Sequence, residues 1–357
     1  MALSIGIVGL PNVGKSTLFN ALTDADALAA NYPFATIEPN TGIVPIPDPR
    51  LEKLARIFKA GRIIPATVTF VDIAGLVAGA SKGEGLGNQF LAHIRSTNAI
   101  VHLVRAFSDS DVTRAGSSTP KADIDIINTE LALADLQTIE NRLPRVEKET
   151  RADAKVKPIL ETLNEAKKLL EAGESLYKAE GINLEYIKDL QLLSAKPVIY
   201  VFNIDEENAG NTHYKKELSE LVHPAKAVFI TAKLESELRG LSGSDRKELL
   251  ASYGQEQSGL EQLIRAAYEA LGLQSFLTAG EKEVRAWTIK KGSTAPQAAG
   301  VIHTDFERGF IAAQVVDYDD LISAGSEASA KAAGKIRTEG KSYIMQPNDV
   351  AEFRFNV

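Results

Sequence analysis

Residues 9–16 read Gly-Leu-Pro-Asn-Val-Gly-Lys-Ser, which is the G-x-x-x-x-G-K-S spacing of a phosphate-binding loop. The β-branched run 3–8 before it predicts a buried strand, and the pattern after it predicts a helix from Lys15 through Leu22. A glycine loop between a strand and a helix turns backbone N–H groups and the positive end of the helix dipole toward phosphate. The sequence therefore predicts a nucleotide-binding α/β domain.

Each position of this loop has a chemical role. The backbone N–H groups of residues 9–15 surround the phosphates, Lys15 reaches the β- and γ-phosphate oxygens, and the Ser16 hydroxyl binds Mg²⁺. A side chain on either glycine would block the approach of backbone to phosphate. The predicted nucleotide contacts in the loop are Asn12, Val13, Gly14, Lys15, Ser16 and Thr17.

A second motif, Val71-Asp-Ile-Ala-Gly75, follows the predicted strand 66–71. Because this strand is expected beside the loop, Asp72 is the predicted outer partner of the metal, and Gly75 can offer its N–H to the γ-phosphate. Thr36, in the polar loop between the two motifs, is the candidate for a second hydroxyl on Mg²⁺. The alternative for Thr36 is an ordinary loop threonine.

The predicted strand 197–202 ends in Asn203-Ile-Asp-Glu206, where guanine-specific proteins of this class carry N-K-x-D. Glu206 is longer than the aspartate, and Ile204 replaces the lysine whose stem packs on the base. Adenine has no N1–H to donate, and its edge needs an acceptor for N6 and a donor for N1. Glu206 therefore favours ATP over GTP as the bound nucleotide, and Asn203 and Glu206 are the predicted base-binding side chains.

The segment Ile230-Thr-Ala-Lys-Leu234 follows the predicted strand 227–230. It stands where a loop closes over the base, so the backbone of Ala232, Lys233 and Leu234 is predicted to read the adenine edge. The alternative is a strand end that contacts no ligand.

Leu76 stands after Gly75, where signalling GTPases place a glutamine that orients the attacking water. A leucine cannot hydrogen-bond water, so hydrolysis is expected to be slow, on the order of 10⁻⁴ s⁻¹, unless another group, a partner or a cation assists. The side-chain oxygen of Asn12 is one candidate ligand for a K⁺ ion near the phosphates.

With the apolar run 99–104, the predicted strands make a doubly wound α/β sheet. The rest of the chain predicts two further regions. From about Ile126 to Ala195, Leu, Ala, Glu and Lys recur at helical spacing and predict an inserted helical arm, in which Pro144 and Pro158 interrupt or begin helices. After Leu271, short strands at 284–289, 310–316 and 351–355 predict a small α+β domain.

Composition narrows the class of protein. The net charge of −7 argues against a protein that binds nucleic acid over its whole surface. The absence of cysteine fits a reducing compartment, and neither a basic leader nor an apolar run of membrane-spanning length is present. A cytoplasmic protein without a membrane segment is expected.

Taken together, these motifs resemble the YchF/Obg-like ATPase family over essentially the whole chain. The segment Asn31-Tyr-Pro-Phe-Ala-Thr-Ile-Glu-Pro-Asn40 adds to the likeness, as do three C-terminal segments: Glu283-Val-Arg-Ala-Trp-Thr-Ile289, Thr294-Ala-Pro-Gln-Ala-Ala-Gly300 and Ile302-His-Thr-Asp-Phe306. The resemblance implies a Ras-like P-loop NTPase domain, a coiled-coil arm and a C-terminal TGS domain of β-grasp fold. It also implies a preference for ATP and association with the ribosome.

The resemblance also suggests domain boundaries: a nucleotide-binding domain at 1–127 and 197–275, the arm at 128–196, and the TGS-like domain at 276–357. One departure concerns hydrolysis, because Arg114 stands where related proteins often carry a histidine. An arginine cannot act as a base but can stabilise transition-state charge; the alternative is a solvated loop arginine. His102, inside an apolar strand, is expected to be a satisfied core histidine.

The leading hypothesis is a monomeric, Mg²⁺-dependent ATPase that acts as a conformational switch. In this switch the γ-phosphate orders the loops around Thr36 and Gly75 and so changes the orientation of the arm and of the C-terminal domain. One alternative is a GTPase of the same fold. The other is a module that binds the ribosome or ribosomal RNA and barely turns over its nucleotide.

Overall fold

A computed structural model of the chain describes residues 3–23, 40–73, 86–107, 119–177, 179–238, 240–241 and 243–356. The chain divides into two compact units, Met1–Ile43 with Thr69–Ala270, and Val44–Val68 with Leu271–Val357. Each unit is discontinuous in sequence. Val44–Val68 groups with the C-terminal residues, whereas the sequence analysis assigned it to the nucleotide-binding domain.

The strands are β1 (Ser4–Val8), β2 (Thr41–Pro45), β3 (Ile63–Ile64), β4 (Thr67–Asp72), β5 (Ala99–Ala106), β6 (Val198–Ile204), β7 (Lys226–Ile230), β8 (Leu273–Ala279), β9 (Val284–Lys290), β10 (Phe310–Asp317), β11 (Arg337–Glu339) and β12 (Asp349–Phe355). The helices are α1 (Lys15–Thr23), α2 (Pro49–Phe58), α3 (Leu86–Ser96), α4 (Pro120–Ala152), α5 (Lys157–Glu171), α6 (Thr212–Glu220), α7 (Ala232–Glu237), α8 (Gly243–Ser252), α9 (Gly259–Ala270), α10 (Ala295–Ile302), α11 (Thr304–Arg308), α12 (Tyr318–Ala324) and α13 (Glu327–Ala332). Among these described helices, none combines the length and the apolar character that a membrane crossing requires.

The first sheet has the strand order β2-β4-β1-β5-β6-β7. β1 pairs in parallel with β4 and β5, and β5-β6 and β6-β7 are also parallel pairs. Every residue of β5 is buried, as expected for a central strand covered on both faces. The five strands predicted from apolar runs are present, and the predicted P-loop α/β fold is confirmed.

The helical arm consists mainly of α4 and α5, joined by a short 3₁₀ turn at Ala154–Val156. Ile139, Leu143 and Val146 of α4 pack in one apolar cluster with Leu163 and Leu170 of α5. The spacing of three to four residues in α4, and of seven residues, two helical turns, in α5, places them on one face of each helix. The arm therefore has its own core, as a hairpin of helices.

The two prolines of the arm behave differently. Pro158 lies at the start of α5, as predicted, because the first turn of a helix does not need its N–H. Pro144 lies inside α4, so the prediction that it interrupts or begins a helix is wrong. Leu143 and Val146 pack in the arm core next to it, and these apolar contacts offset the missing backbone hydrogen bond.

Asp135 fixes the chain where it returns from the arm to β6. Its buried carboxylate accepts hydrogen bonds from the backbone N–H of Leu193 (2.8 Å) and Ser194 (2.7 Å) and from the Ser194 hydroxyl (2.6 Å). Burial raises the pKa of Asp135, and these three donors act in the opposite direction. The return of the chain is thus held by hydrogen bonds to one acidic side chain.

The second sheet has the order β11-β10-β12-β8-β9-β3. β8 and β9 form an antiparallel hairpin, β12 pairs in parallel with β8, and β10 pairs antiparallel with β12. Buried alanines of α10 pack with Phe276 and Val315 of the sheet. This is the β-grasp arrangement of a C-terminal α+β domain, as expected.

The early segment 44–68 completes this second unit. β3 pairs in parallel with β9, and Arg50 of α2 donates to Pro347 O (2.6 Å) and to Asn348 Oδ1 (3.1 Å). Leu51 and Leu54 of α2 are buried. This grouping of residues 44–68 could not be predicted from the sequence, since the apolar spacing of a helix does not tell which sheet the helix covers.

Candidate functional site

The phosphate-binding loop connects β1 to α1, which begins at Lys15 as predicted. A Cβ on Gly9 would lie 2.6 Å from Leu103 O of β5, so only glycine fits this close approach of the loop to β5. Asn12 and Gly14 have left-handed φ values of 62° and 101°. Gly9 and Gly14, which the motif fixes, and Asn12, which it does not, thus shape the loop backbone.

Lys15 folds back over the loop. Its ammonium donates to Gly9 O (2.9 Å) and Leu10 O (2.8 Å), which holds the charge close to the loop backbone. Burial lowers the pKa of Lys15, and the carboxylate of Asp72 opposes that shift. The ammonium is thus partly desolvated, a condition that strengthens its attraction for an anion.

Asp72 ends β4 and lies opposite Ile7 of β1, which places it beside the loop. Burial raises the pKa of Asp72, and the Lys15 charge opposes that shift. Its Oδ1 atom is buried and has no hydrogen-bond partner among the described residues. A buried carboxylate oxygen without a donor is an available acceptor for a hard cation or for a water bound to one.

Ser16 is the second residue of α1 and is exposed. The pair of Ser16 and Asp72 fits Mg²⁺, which takes oxygen ligands, keeps several waters and uses few protein groups. Consistent with that, the described residues contain no group of three or more His, Asp or Glu side chains arranged as a metal cage. The donor set therefore fits the predicted metal.

Four residues named by the sequence analysis lie outside the described residues. They are Thr36, Gly75, Leu76 and Arg114. Their predicted parts in metal binding and hydrolysis stay predictions.

A cavity of about 710 Å³ extends from the phosphate-binding loop toward the ends of β6 and β7. Its volume is within the range of small-molecule sites. The predicted residues that line it are Asn12, Gly14, Lys15, Ser16, Thr17, Asn203 and Ala232. Loop residues and base-end residues that are far apart in sequence thus meet in one cavity.

Asn203 joins the two ends of this cavity. It is buried at the end of β6, and its Nδ2 donates to Val13 O of the loop at 3.2 Å. This contact fixes the asparagine side chain and the loop backbone relative to each other. It also explains why an asparagine suits this position, because the amide carries both a donor and an acceptor.

Glu206, the second residue of the predicted base motif, is engaged elsewhere. Lys233 Nζ lies 2.9 Å from Glu206 Oε1 and 3.0 Å from Oε2. Neither residue is among those that line the cavity. Leu234 does not line the cavity either; its side chain packs in a small core with Leu238 and Leu250, and its carbonyl accepts from the N–H of Leu238.

The cavity also contains residues that the sequence analysis missed. Phe107 follows β5, and the carboxyl end of a parallel strand is where such sheets bind ligands, a signal that could have identified it. Glu235 of α7 is buried and lines the same cavity, whereas Glu237 on the same helix is exposed. The sequence spacing alone does not show which of these two glutamates is buried in the cavity wall.

Comparisons with known proteins match the whole chain. A family profile described as a 50S ribosome-binding GTPase matches residues 4–204, and a YchF-GTPase C-terminal profile, described as a protein of unknown function, matches residues 273–356. Relatives named ribosome-binding ATPase YchF from Bacillus subtilis and Pasteurella multocida are 49% and 52% identical, and each alignment covers 100% of both chains.

Solved structures agree on the fold. A structure described as the YchF GTPase of Schizosaccharomyces pombe is 37% identical with a TM-score of 0.87, and the match covers 99% of this chain and 97% of that one. A GTP-binding protein from Pyrococcus horikoshii, 20% identical with a TM-score of 0.60, shares the fold; the match covers 99% of this chain and 100% of that one. The names of the relatives differ on the nucleotide, since the bacterial proteins are called ATPases and the S. pombe protein a GTPase.

Proposed function

This chain belongs to the YchF family, and we propose that it is a Mg²⁺-dependent ATPase that works as a slow molecular switch on the ribosome. The observation that supports this most is the single cavity that unites Lys15 and Ser16 with Asn203 and Ala232. A phosphate end and a base end lie in one cavity, which is the requirement for binding a nucleoside triphosphate.

At the phosphate end, Lys15 exchanges its contacts with Gly9 O and Leu10 O for contacts with the β- and γ-phosphate oxygens. The N–H groups of the loop and the start of α1 add a positive field for the same oxygens. Ser16, Thr36 and Asp72 are the residues that would hold Mg²⁺, Asp72 as the outer partner. When bound, the ion neutralises charge that develops on the transferred phosphoryl group.

At the base end, the geometry supports ATP. A carboxylate that selects guanine must accept from the guanine N1–H and amino group, but both Glu206 oxygens are close to Lys233. Asn203, Glu206 and the backbone of residues 232–234 form the proposed base site. Asn203 and the backbone can supply the acceptor and donor that adenine requires.

Slow hydrolysis follows from Leu76, which cannot orient water. Gly75 is the proposed donor to the γ-phosphate, and Arg114 is a proposed stabiliser of transition-state charge. Asn12, which lines the cavity, is a proposed ligand for K⁺. A partner that supplies the missing group would then control the rate.

The ribosome is the proposed partner, because the relatives are named for binding it and one matching profile is described by it. The proposed domains are the nucleotide-binding domain at 1–127 and 197–275, the arm at 128–196 and the TGS-like domain at 276–357, with one change: residues 44–68 group with the C-terminal unit. The presence or absence of the γ-phosphate is proposed to determine the orientation of the arm. We place this activity in the cytoplasm, in a monomer.

Measuring the rate of phosphate release distinguishes an ATPase from a module that binds nucleotide without hydrolysing it. Wild type should release phosphate from ATP slowly and faster with ribosomes, whereas Lys15→Ala should be inactive in both conditions. Lys53→Ala removes an exposed lysine of α2 and is the matched control, with rates equal to wild type. Equal, near-zero rates for wild type and Lys15→Ala throughout would favour a binding module that does not turn over nucleotide.

A further inference from the structure

Glu235 is a buried acid of the nucleotide cavity to which the proposed function gives no role. Its side chain is on the short helix α7, four residues after Thr231, and the residue is only 6% exposed. It lines the cavity together with Asn203 and Ala232, at the end opposite Lys15. Glu235 therefore forms part of the cavity wall on the side of Asn203 and Ala232.

The contacts of Glu235 favour its charged form. Its Oε1 accepts hydrogen bonds from the backbone N–H of Gly259 (2.6 Å) and Leu260 (3.3 Å), the first residues of α9. The start of a helix is also where a negative charge is stabilised. Burial raises the pKa of Glu235, and these N–H groups, Ser258 and Arg246 oppose the rise.

The packing around this carboxylate is tight. A Cβ on Gly259 would lie 2.5 Å from Phe229 O and 3.0 Å from Glu235 Oε1. The carboxylate is therefore held by close contacts between the end of β7 and the start of α9. A fixed charge in a low-dielectric cavity acts on a ligand more strongly than a mobile, solvated one.

Glu206 does not supply a comparable charge, because Lys233 pairs with it outside the lining of the cavity. Among the described residues that line the cavity, Glu235 is the acidic side chain and Lys15 the basic one. The charges thus separate along the cavity, with the cation at the phosphate end and the anion at the base end.

The two purines differ in charge at position 6. Adenine carries an amino group that donates hydrogen bonds, whereas guanine carries a carbonyl oxygen that accepts them. We propose that Glu235 selects ATP over GTP by placing a fixed negative charge where the purine 6-substituent lies, which attracts the amino group and repels the carbonyl oxygen. The inference rests on the proposed function, since it takes the base to lie beside α7.

The test compares ATP with purine riboside triphosphate, which lacks the 6-amino group but keeps the N1 acceptor. In wild type we expect ATP to bind about tenfold more tightly, the size of one charge-assisted hydrogen bond. In Glu235→Gln this ratio should fall to about twofold or less, and GTP should bind more tightly than it does to wild type. Glutamine keeps an acceptor for Gly259 N–H, so the contact with α9 is retained.

Glu237→Gln is the matched control, because it removes the same charge from an exposed position of the same helix and should leave the ratio unchanged. A Glu235→Gln protein that binds triphosphate with the wild-type ratio would overturn the inference. If Glu235→Gln does not fold, equal affinities of wild type for the two nucleotides would overturn it. A wild type that prefers GTP would instead contradict the proposed function itself.

Discussion

Lys15 and Asp72 lie in the same partly buried site, and burial acts against the charge of each. The pKa of Lys15 is lowered and that of Asp72 is raised by burial, while each charge partly offsets the shift of the other. Lys15 donates to two backbone carbonyls, and Asp72 Oδ1 has no hydrogen-bond partner among the described residues. A site of this kind gains stability when phosphate oxygens meet the lysine and a cation meets the carboxylate.

Asp72→Asn tests the metal half of this site. The amide lacks the charge that supports Mg²⁺, so we expect ATP affinity in the presence of Mg²⁺ to fall about 10–100-fold. In EDTA the variant and wild type should bind ATP equally, because no metal then connects Asp72 to the phosphates. Calorimetric titration in the two buffers measures both effects.

Asp189→Asn is the control for Asp72→Asn, since Asp189 is an exposed acid of the arm. This variant should bind ATP as wild type does in both buffers. A loss of affinity in Asp72→Asn that is the same with EDTA as with Mg²⁺ would contradict the metal role.

His102 is a buried residue with a pH-dependent effect on stability. It is 1% exposed in β5, as predicted for a core histidine, but its Nε2 has no hydrogen-bond partner among the described residues, so it is not satisfied as expected. Burial lowers the pKa of His102 to about 3. The folded protein therefore keeps this histidine neutral at pH values where the unfolded chain protonates it.

The sign of the effect follows from proton binding. Below the ordinary histidine pKa of about 6.5 the unfolded state binds the extra proton, so stability falls as the pH falls. Between pH 7 and pH 5 this residue should lower the free energy of unfolding by about 2 kcal/mol. His102→Leu should lose that part of the pH dependence in urea unfolding at pH 5, 6 and 7; an unchanged dependence would refute the assignment.

At the scale of elements, the first sheet was largely predictable and its partner helices were less so. Buried parallel strands are apolar runs, so β1, β4, β5, β6 and β7 could be located from sequence, and motifs at their carboxyl ends identified Lys15, Asp72 and Asn203. The role of α2 could not be predicted, because its amphipathic pattern fits either sheet. Pro144 was misinterpreted because tertiary packing overrides a local helix breaker.

The contacts between side chains of different elements also could not be predicted from the sequence. Sequence placed Glu206 near the base, but its ion pair with Lys233 depends on how the ends of β6 and β7 lie side by side. Glu235 was missed for the same reason, since its burial depends on the start of α9 folding against α7. Distances between residues from different elements are set by the fold and are not encoded in spacing.

Leu54→Ala tests whether α2 belongs to the C-terminal unit. Leu54 is fully buried, and Trp287, the single tryptophan of the chain, lies in β9 of the same unit. Truncation of a buried leucine should lower the free energy of unfolding of that unit by about 2–5 kcal/mol. The urea midpoint of Trp287 fluorescence should fall, although the substitution is more than 200 residues away in sequence.

Leu133→Ala is the control, because Leu133 is 42% exposed on α4 of the first unit. It should leave the Trp287 transition in place. If Leu54→Ala also leaves that transition unchanged, the grouping of α2 with the C-terminal residues is wrong.

At the scale of the whole molecule, two discontinuous units have consequences for how the chain is dissected. A cut at residue 276 removes the strands on which β3 and α2 depend, and so exposes Leu51 and Leu54. Loss of ribosome binding after such a deletion could therefore come from the exposed segment 44–68 as well as from the missing C-terminal residues. Point substitutions within the intact chain are the better probe of the proposed ribosome contact.

We propose that this chain is a P-loop switch whose base end selects adenine. Calorimetric titration of the full-length protein with ATP and with GTP, in the presence of Mg²⁺, tests it directly. The arrangement of Asn203, Glu206 and Glu235 predicts that ATP binds at least about tenfold more tightly than GTP. Tighter binding of GTP would contradict the account and leave a guanine-nucleotide switch of the same fold.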